Sequence, residues 1–111
     1  MDSLTRSFAA LADPTRRAIL DRLLGGSASF TELAAPFGMS KPAVVKHLRA
    51  LERAGMIGRG GSKARPIYRI EPDGLAVPRD WIERQARQWE DRLDRLDAYV
   101  RTITEAEGGK A

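Results

Sequence analysis

The basic side chains from Lys41 to Arg69 are the groups whose type and spacing best fit a chemical task, the binding of a polyanion. Eight residues of this segment are basic and one is acidic, which gives a net charge of +7. The remaining 82 residues contain 11 basic and 14 acidic side chains and carry −3, while the whole chain carries +4. Charge separated in this way is typical of a surface that binds nucleic acid. The alternative is a solvated basic face without a partner.

A helix from Lys41 to about Ala54 would carry the first of these cations. Val44, Leu48 and Leu51 recur at spacings of four and three residues, which predicts a buried stripe opposite the cationic row. An α-helix fits the major groove of DNA, and the residues of its N-terminal half reach the base edges. The predicted base-reading residues are Ser40, Lys41, Pro42, Val45 and Lys46.

Cations farther along the chain are better suited to phosphates, which supply affinity without sequence choice. The predicted phosphate-binding residues are His47, Arg49, Arg53, Arg59, Lys63 and Arg65. For His47, packing or a backbone hydrogen bond is the favoured alternative, because this residue lies between the apolar stripe and the cationic row.

Three shorter helices are predicted ahead of the basic helix. Residues 2–11 have an amphipathic pattern, and the Asp-Pro pair at 13–14 reads as an N-cap followed by a proline at the first helical position. The second helix stops at the glycine pair 25–26. Residues 29–32 have the spacing of a capping box and open a third helix, which Pro36 keeps short.

The third helix, a glycine-containing turn and the basic helix form a helix-turn-helix over residues 30–54. Strands are predicted at 56–59 and 66–70, joined by a flexible tip that carries two cations. This pattern predicts a winged helix-turn-helix, with residues 56–70 as the wing. The expected fold is mainly α with a small β-hairpin and a long C-terminal helix, in one domain over residues 1–111.

The last predicted helix, residues 78–104, carries apolar residues at alternating spacings of four and three. This heptad seam continues over three repeats and is typical of a coiled coil. Its members are Ile82, Ala86, Trp89, Leu93, Leu96, Val100 and Ile103. Trp81 and Trp89 suggest the aromatic wall of an effector pocket, but core and dimer packing is the favoured interpretation.

Composition argues against several other classes of protein. There is no cysteine and only one histidine, so a thiolate metal site is impossible and a metal or cofactor is not predicted. Acids on the last helix alternate with arginines, as on a solvated face. No phosphate-binding glycine loop or nucleophile motif is found, so an enzyme is not expected. Without a membrane-length apolar run or a secretion signal, a soluble, cytoplasmic protein is expected.

Three segments of the chain carry a resemblance to a known family. They are LADPTRRAILDRLL at 11–24, FTELAAPFGMSKPAVVKHLRALERAGMI at 30–57 and RGGSKARPIYRI at 59–70. Over about residues 4–103, the chain resembles the arsenic-repressor-like (ArsR) family of bacterial winged-helix regulators. The combination of ADPTRR with S-x-P-A-V-x-K-H-L-x-x-L-x-x-A-G-x-I makes the resemblance specific.

The resemblance implies a homodimer whose interface is formed by the first and last helices, residues 1–12 and 78–104. It also implies binding to an imperfect palindrome near the protein's own promoter, usually as a repressor. The implied dimer-interface residues are Leu4, Phe8, Leu11, Ile82, Ala86, Trp89, Leu93, Leu96, Val100 and Ile103.

This chain departs from the metal-sensing members of the family. Those members carry either cysteines on the helix before the turn or clusters of histidine and aspartate on the last helix. Here the first region, residues 30–33, reads Phe-Thr-Glu-Leu, and the last helix has no histidine. Val45 stands where many members have a polar residue. The last helix resembles a non-metal subgroup whose members often accompany genes for small hydrophobic-ligand-binding proteins, so a small hydrophobic effector is one expectation of the resemblance.

Two functional hypotheses follow from the sequence. The first is a homodimeric, sequence-specific DNA-binding transcriptional regulator that does not respond to metal. The second is a dimerising protein-interaction adaptor that has the winged-helix fold but lacks operator binding. The +7 segment favours the first, because an adaptor has no need of that charge.

Overall fold

The computed structural model describes residues 1–108, and five helices and three strands form along them. The helices are α1 (Ser3–Leu11), α2 (Pro14–Leu23), α3 (Phe30–Ala34), α4 (Lys41–Arg53) and α5 (Ala76–Gly108). The strands are β1 (Ala28–Ser29), β2 (Ile57–Gly61) and β3 (Pro66–Ile70). The chain divides into two compact units, Met1–Pro78 and the helical segment from Arg79 onwards.

Side-chain caps fix where the first two helices begin. The Asp2 carboxylate accepts a hydrogen bond from the Thr5 backbone N–H at 2.7 Å, and this bond holds the pKa of Asp2 below its ordinary value. The Asp13 carboxylate accepts from the N–H groups of Thr15 and Arg16 at 2.8 and 3.2 Å. The predicted cap and first-turn proline of α2 are therefore confirmed.

The predicted capping box opens α3. The Ser29 hydroxyl accepts from the Glu32 N–H at 3.2 Å, and the Glu32 carboxylate accepts from the Ser29 N–H at 3.3 Å. These bonds, with Arg22 nearby, lower the pKa of Glu32. Pro36 follows the helix closely, and α3 ends after five residues, as the sequence predicted. The Ser40 hydroxyl then caps α4 by accepting from the Ala43 N–H at 3.4 Å.

A single hydrophobic core anchors α4. Val44, Leu48 and Leu51 are almost completely buried, which confirms the stripe predicted from their spacing. Burial of an aliphatic side chain contributes about 1.5–3 kcal/mol, so this stripe holds α4 firmly with its other side outward. The remaining core residues are Ala10, Ile19, Leu23, Ala28, Leu33, Met56, Ile57 and Tyr68.

The sheet is antiparallel, in the order β1-β3-β2. Strand β1 was not predicted, because two residues are too few to show an alternating pattern. Strand β2 runs from Ile57 to Gly61, so the prediction that placed residues 60–65 in the hairpin tip is partly wrong. Gly60 and Gly61 belong to the strand because they pair with Ile67 and Pro66 of β3. The tip is thereby restricted to residues 62–65.

Gly61 lies at the point where the wing hairpin turns, and we expect Gly61→Ala to destabilise the protein by about 1–3 kcal/mol. Its φ of +75° is unfavourable for any residue with a Cβ, and that atom would lie 2.5 Å from the Arg65 carbonyl oxygen. Chemical denaturation measures the free energy of unfolding.

Gly60→Ala is the matched control for the Gly61 substitution. Gly60 has no positive φ, and a Cβ there would come no closer than 3.5 Å to Arg69. If the two variants lose equal free energy of unfolding, the positive φ at position 61 is not the cause of the destabilisation.

Helix α5 is longer than predicted. It begins at Ala76 rather than Pro78 and ends at Gly108 rather than near Thr104. Pro78 is tolerated because it lies in the first turn, where its missing N–H has no intrahelical partner. Residues 105–108 therefore continue the helix beyond the predicted end, and residues 109–111 lie outside the described residues. No helix within residues 1–108 combines the length and the apolar character that crossing a membrane requires.

Candidate nucleic-acid interface

The N-terminal half of α4 presents most of the predicted base-reading residues to solvent. Ser40, Lys41, Pro42 and Lys46 are exposed, whereas Val45 is half-buried. The ammonium group of Lys41 lies 5.7 Å from the centroid of the Phe30 ring at the start of α3. This cation–π contact restrains a side chain that would otherwise be free to rotate.

A groove of about 520 Å³ separates α4 from the wing. The N-terminal end of α3 closes one side of it, and Ile67 and Tyr68 of β3 contribute apolar lining. Glu52 is the one acidic residue in the lining. The cations that line the groove are Lys41, Arg49, Arg59, Lys63 and Arg65. The predicted base-reading and phosphate-binding cations are thus brought together across α4 and the wing, although Lys46 and Arg53 lie outside this groove.

Most cations of this surface are not neutralised by neighbouring acids. Within residues 1–108, an ion pair with an acid is found for none of the following seven side chains: Lys41, Lys46, Arg49, Arg53, Arg59, Lys63 and Arg65. Some arginines elsewhere are paired with acids, as in Arg22–Glu32 at 3.1 Å and Arg101–Asp97 at 2.6 Å. The seven unpaired side chains keep their full charge for an external anion, and we call them the cationic face.

Arg69 differs from the cationic face although it belongs to the same basic segment. Its guanidinium lies 3.2 Å from the Glu71 carboxylate, and a Cβ on Gly58 would collide with both side chains. Arg69 therefore closes over the backbone of β2 at Gly58. Its charge is partly neutralised, so it is not part of the DNA-binding proposal.

His47 lies on the side of α4 that faces α2. Its side chain is only 15% exposed, and its Nδ1 accepts a hydrogen bond from the Arg16 Nε at 3.2 Å. This placement favours the packing interpretation of His47 over the phosphate contact. Arg16 was missed in the sequence, and no local pattern could have revealed it, because its partner lies 31 residues away.

The pKa of Asp13 is lowered beside this contact. Partial burial raises it, but the hydrogen bonds from the Arg16 and Thr15 N–H groups, together with nearby positive charge, lower it by more. The carboxylate that caps α2 therefore stays ionised to lower pH than an ordinary aspartate.

The predicted dimer residues of α5 are exposed in the single chain. Trp89 is 68% exposed and Leu96 is 56% exposed, which is unusual for apolar side chains of this size. The other large seam residues, all 40% exposed or more, are Ile82, Leu93, Val100 and Ile103, and Ala86 is also exposed. Trp81 is 37% exposed, and its role in an effector pocket stays a prediction.

In α1, the predicted interface residues are less exposed. Leu4 and Phe8 are half-buried, and Leu11 packs against the core. The residues that α1 buries completely are the small Ser7 and Ala10, three positions apart. Small residues at this spacing let a helix approach its neighbours closely, and the pattern of large apolar residues does not indicate this packing.

A helix-turn-helix with a buried stripe, followed by an antiparallel hairpin that adds charge to the same face, defines a winged helix-turn-helix DNA-binding protein. The fold predicted from the sequence is confirmed. A family model described as a helix-turn-helix domain matches residues 11–57. This match runs from the end of α1 to the start of β2.

Comparison with known proteins identifies the family. The HTH-type transcriptional regulator Rv2034 of Mycobacterium tuberculosis is 40% identical over 79 residues, which cover 71% of this chain and 74% of that protein. A crystal structure of an ArsR family transcriptional regulator, RHA00566, matches with a TM-score of 0.75 and 39% identity over 80% of this chain and 98% of that one.

A solution structure from Mycobacterium bovis, described as a homodimeric winged helix-turn-helix DNA-binding domain, has a TM-score of 0.59 and 30% identity. The match covers 81% of this chain and 82% of that one. The chain belongs to the ArsR family of winged helix-turn-helix transcriptional regulators. Both the family and the fold are those of transcription regulators rather than enzymes.

Proposed function

We propose that this chain is a homodimeric repressor that binds an imperfect palindromic operator near its own promoter and does not respond to metal. The observation that carries the proposal is the cationic face, seven basic side chains on α4 and the wing that no acid of residues 1–108 neutralises. Like charges on one surface repel one another and destabilise the folded protein. A bound polyanion removes this repulsion.

The side chains of the cationic face divide into two roles. Lys41 and Lys46, on the N-terminal half of α4, donate to guanine O6 and N7, while Val45 contacts a thymine methyl group. Ser40 and Pro42 lie at the end of the helix that enters the groove. The phosphate contacts come from Arg49, Arg53, Arg59, Lys63 and Arg65.

The exposed seam of α5 supports the homodimer. Its apolar side chains repeat with heptad spacing, so a second copy of the helix would remove a continuous stripe from water. The relative from Mycobacterium bovis is described as homodimeric, which supports a dimer for this chain but not a particular interface. A two-fold dimer presents two copies of α4, which enter successive major grooves about 34 Å apart and require a palindromic site.

Repression and the lack of a metal response are the remaining parts of the proposal. A dimer bound across a promoter occupies DNA that RNA polymerase needs, and the family resemblance implies this direction of control. The chain has no cysteine and one histidine. In the part of the chain up to Gly108, no three His, Cys, Asp or Glu side chains are grouped so that they could hold a metal ion.

A binding titration tests the proposal. Purified protein is titrated with a duplex from upstream of its own gene, and with a shuffled duplex of the same composition, in excess random DNA. We expect preference for the native duplex at one dimer per site. Because a dimer with roughly 6 to 10 phosphate contacts releases as many counterions, affinity should fall by about 10³ to 10⁵ between 50 and 200 mM salt.

Two results would contradict the proposal. Equal affinity for the native and shuffled duplexes, with a weak salt dependence, would favour the protein-interaction adaptor instead. Binding that requires or responds to added Zn²⁺ or Ni²⁺ would overturn the absence of a metal response. Changing the sequence of one half-site at a time tests the symmetry of the operator. A symmetric dimer should lose much of its affinity when either half is changed, whereas an asymmetric operator would depend on one half only.

A further inference from the structure

Arg16 makes contacts in three directions from the first turn of α2. Its Nε donates to Nδ1 of His47 on α4 at 3.2 Å, and its Nη1 donates to the Ala9 carbonyl oxygen in the last turn of α1 at 3.1 Å. Its backbone N–H is held by the Asp13 cap at 3.2 Å. One side chain thus joins the end of α1 to the middle of the helix that carries the base-reading residues.

Two neighbouring side chains favour different states of Nδ1 of His47, one with and one without a hydrogen. Arg16 can only donate, so its hydrogen bond requires Nδ1 to be an unprotonated acceptor. The Asp13 carboxylate lies 3.9 Å from the same nitrogen and would attract a proton there. The 3.9 Å separation exceeds hydrogen-bonding distance, whereas the Arg16 contact is within it. The geometry therefore favours the neutral imidazole with its hydrogen on Nε2.

We propose that Arg16 is a positioning residue for DNA binding, which holds His47 as the Nε2–H tautomer and ties α4 to the carboxyl end of α1. This inference rests on the proposed DNA-binding function. Arg16 lies on the core side of α4 and does not belong to the cationic face. Its effect on operator affinity is exerted through His47 and through the placement of Lys41 and Lys46.

The physical reason for such an effect is geometric. Hydrogen bonds to base edges tolerate errors of only about 0.5 Å or 10–20° in the position of the donor. A small rotation of α4 moves Lys41 and Lys46 by this amount, although the buried stripe of Val44, Leu48 and Leu51 would remain packed. Arg16 limits this rotation through its hydrogen bond to His47, which lies beside the apolar stripe. It also fixes α4 relative to α1, one of the proposed dimer helices.

Arg17 supplies a matched control. Its Nη1 donates to the Leu11 carbonyl oxygen at 2.6 Å, so it also binds the end of α1. No hydrogen bond of Arg17 to α4 is found in the described part of the chain. Arg16→Met and Arg17→Met each remove one positive charge and one bond to α1, but only the first removes the contact with His47.

The test combines operator titration with nitrogen NMR of the protein labelled at histidine. The chain has one histidine, so the two imidazole nitrogens give an unambiguous signal. We expect an unprotonated Nδ1 and a protonated Nε2 in the native protein and in Arg17→Met, and a mixture of tautomers in Arg16→Met. Operator affinity should fall about 5- to 30-fold in Arg16→Met and less than about twofold in Arg17→Met.

A double-mutant cycle distinguishes positioning from a general loss of stability. His47→Asn keeps an acceptor near the position of Nδ1 and should retain most of the affinity, whereas His47→Ala should lose as much as Arg16→Met. The double variant Arg16→Met with His47→Ala should be no weaker than either single variant, because both remove one interaction. Unfolding curves of every variant show which losses come from the fold alone.

Three results would overturn this inference. They are a hydrogen on Nδ1 in the native protein, equal loss of affinity in Arg16→Met and Arg17→Met, or additive losses in the cycle. If the native protein prefers no duplex, the proposed function fails and the positioning role fails with it. The tautomer measurement still decides the Arg16–His47 contact in that case, so the two failures are distinguishable.

Discussion

Replacing Lys41 and Lys46 together by glutamine is expected to abolish preference for the operator while the protein stays folded. Both side chains are exposed, and neither forms an ion pair with an acid within residues 1–108. A good bidentate contact to a base discriminates by about 1–3 kcal/mol, and a dimer makes each contact twice. The ratio of operator to random-DNA affinity should therefore fall by about 10²-fold or more, as measured by competitive titration.

The control for the lysine pair removes the same charge elsewhere. Arg87→Gln with Arg95→Gln changes two exposed cations of α5 that lie off the heptad seam. This variant should weaken binding to all duplexes slightly and to the same extent, because only the net charge of the protein changes. Unchanged operator preference in the Lys41 and Lys46 variant, with an unaltered melting curve, would show that the N-terminal half of α4 does not read the bases.

Leu96→Glu is expected to convert the dimer to a monomer and to lose tight operator binding. Leu96 occupies the centre of the exposed seam, where a partner helix would cover it. An ionised carboxylate shielded from water without a partner costs several kcal/mol, and the symmetric dimer contains two of them. The dimer dissociation constant should rise by about 10³-fold or more, which sedimentation equilibrium measures directly.

Ala98→Glu is the control for the seam substitution. Ala98 lies two residues from Leu96 on the same exposed helix but outside the heptad positions. Its replacement by glutamate therefore adds the same charge without entering the proposed interface. It should remain a dimer and bind the operator normally. A dimeric Leu96→Glu protein would show that the α5 seam does not form the interface, and the spacing between the two α4 helices would have to be derived from another surface.

Much of the fold was predictable because its determinants are local in the chain. The cap at Asp13, the capping box at Ser29 and the proline that follows α3 act within one turn of helix, so their effects can be read from neighbouring residues. The stripe through Leu48 and the seam through Leu96 repeat with helical spacing, which identifies a buried or interface face. The sequence by itself thus determined the helix-turn-helix, the sign of its exposed face and the long apolar seam.

Only the tertiary structure decided which contacts form between distant segments. Strand β1 exists because Ala28 lies opposite Tyr68, and β2 extends to Gly61 because that residue pairs with Pro66. The orientation of His47 depends on Arg16, 31 residues earlier in the chain. Such contacts depend on how the helices and strands are placed in space, and no periodicity or cap along the chain records that placement. For the same reason, the seven residues of the cationic face could be listed from the sequence. That Glu71 partly neutralises Arg69 and leaves the neighbouring cations unpaired follows only from the folded chain.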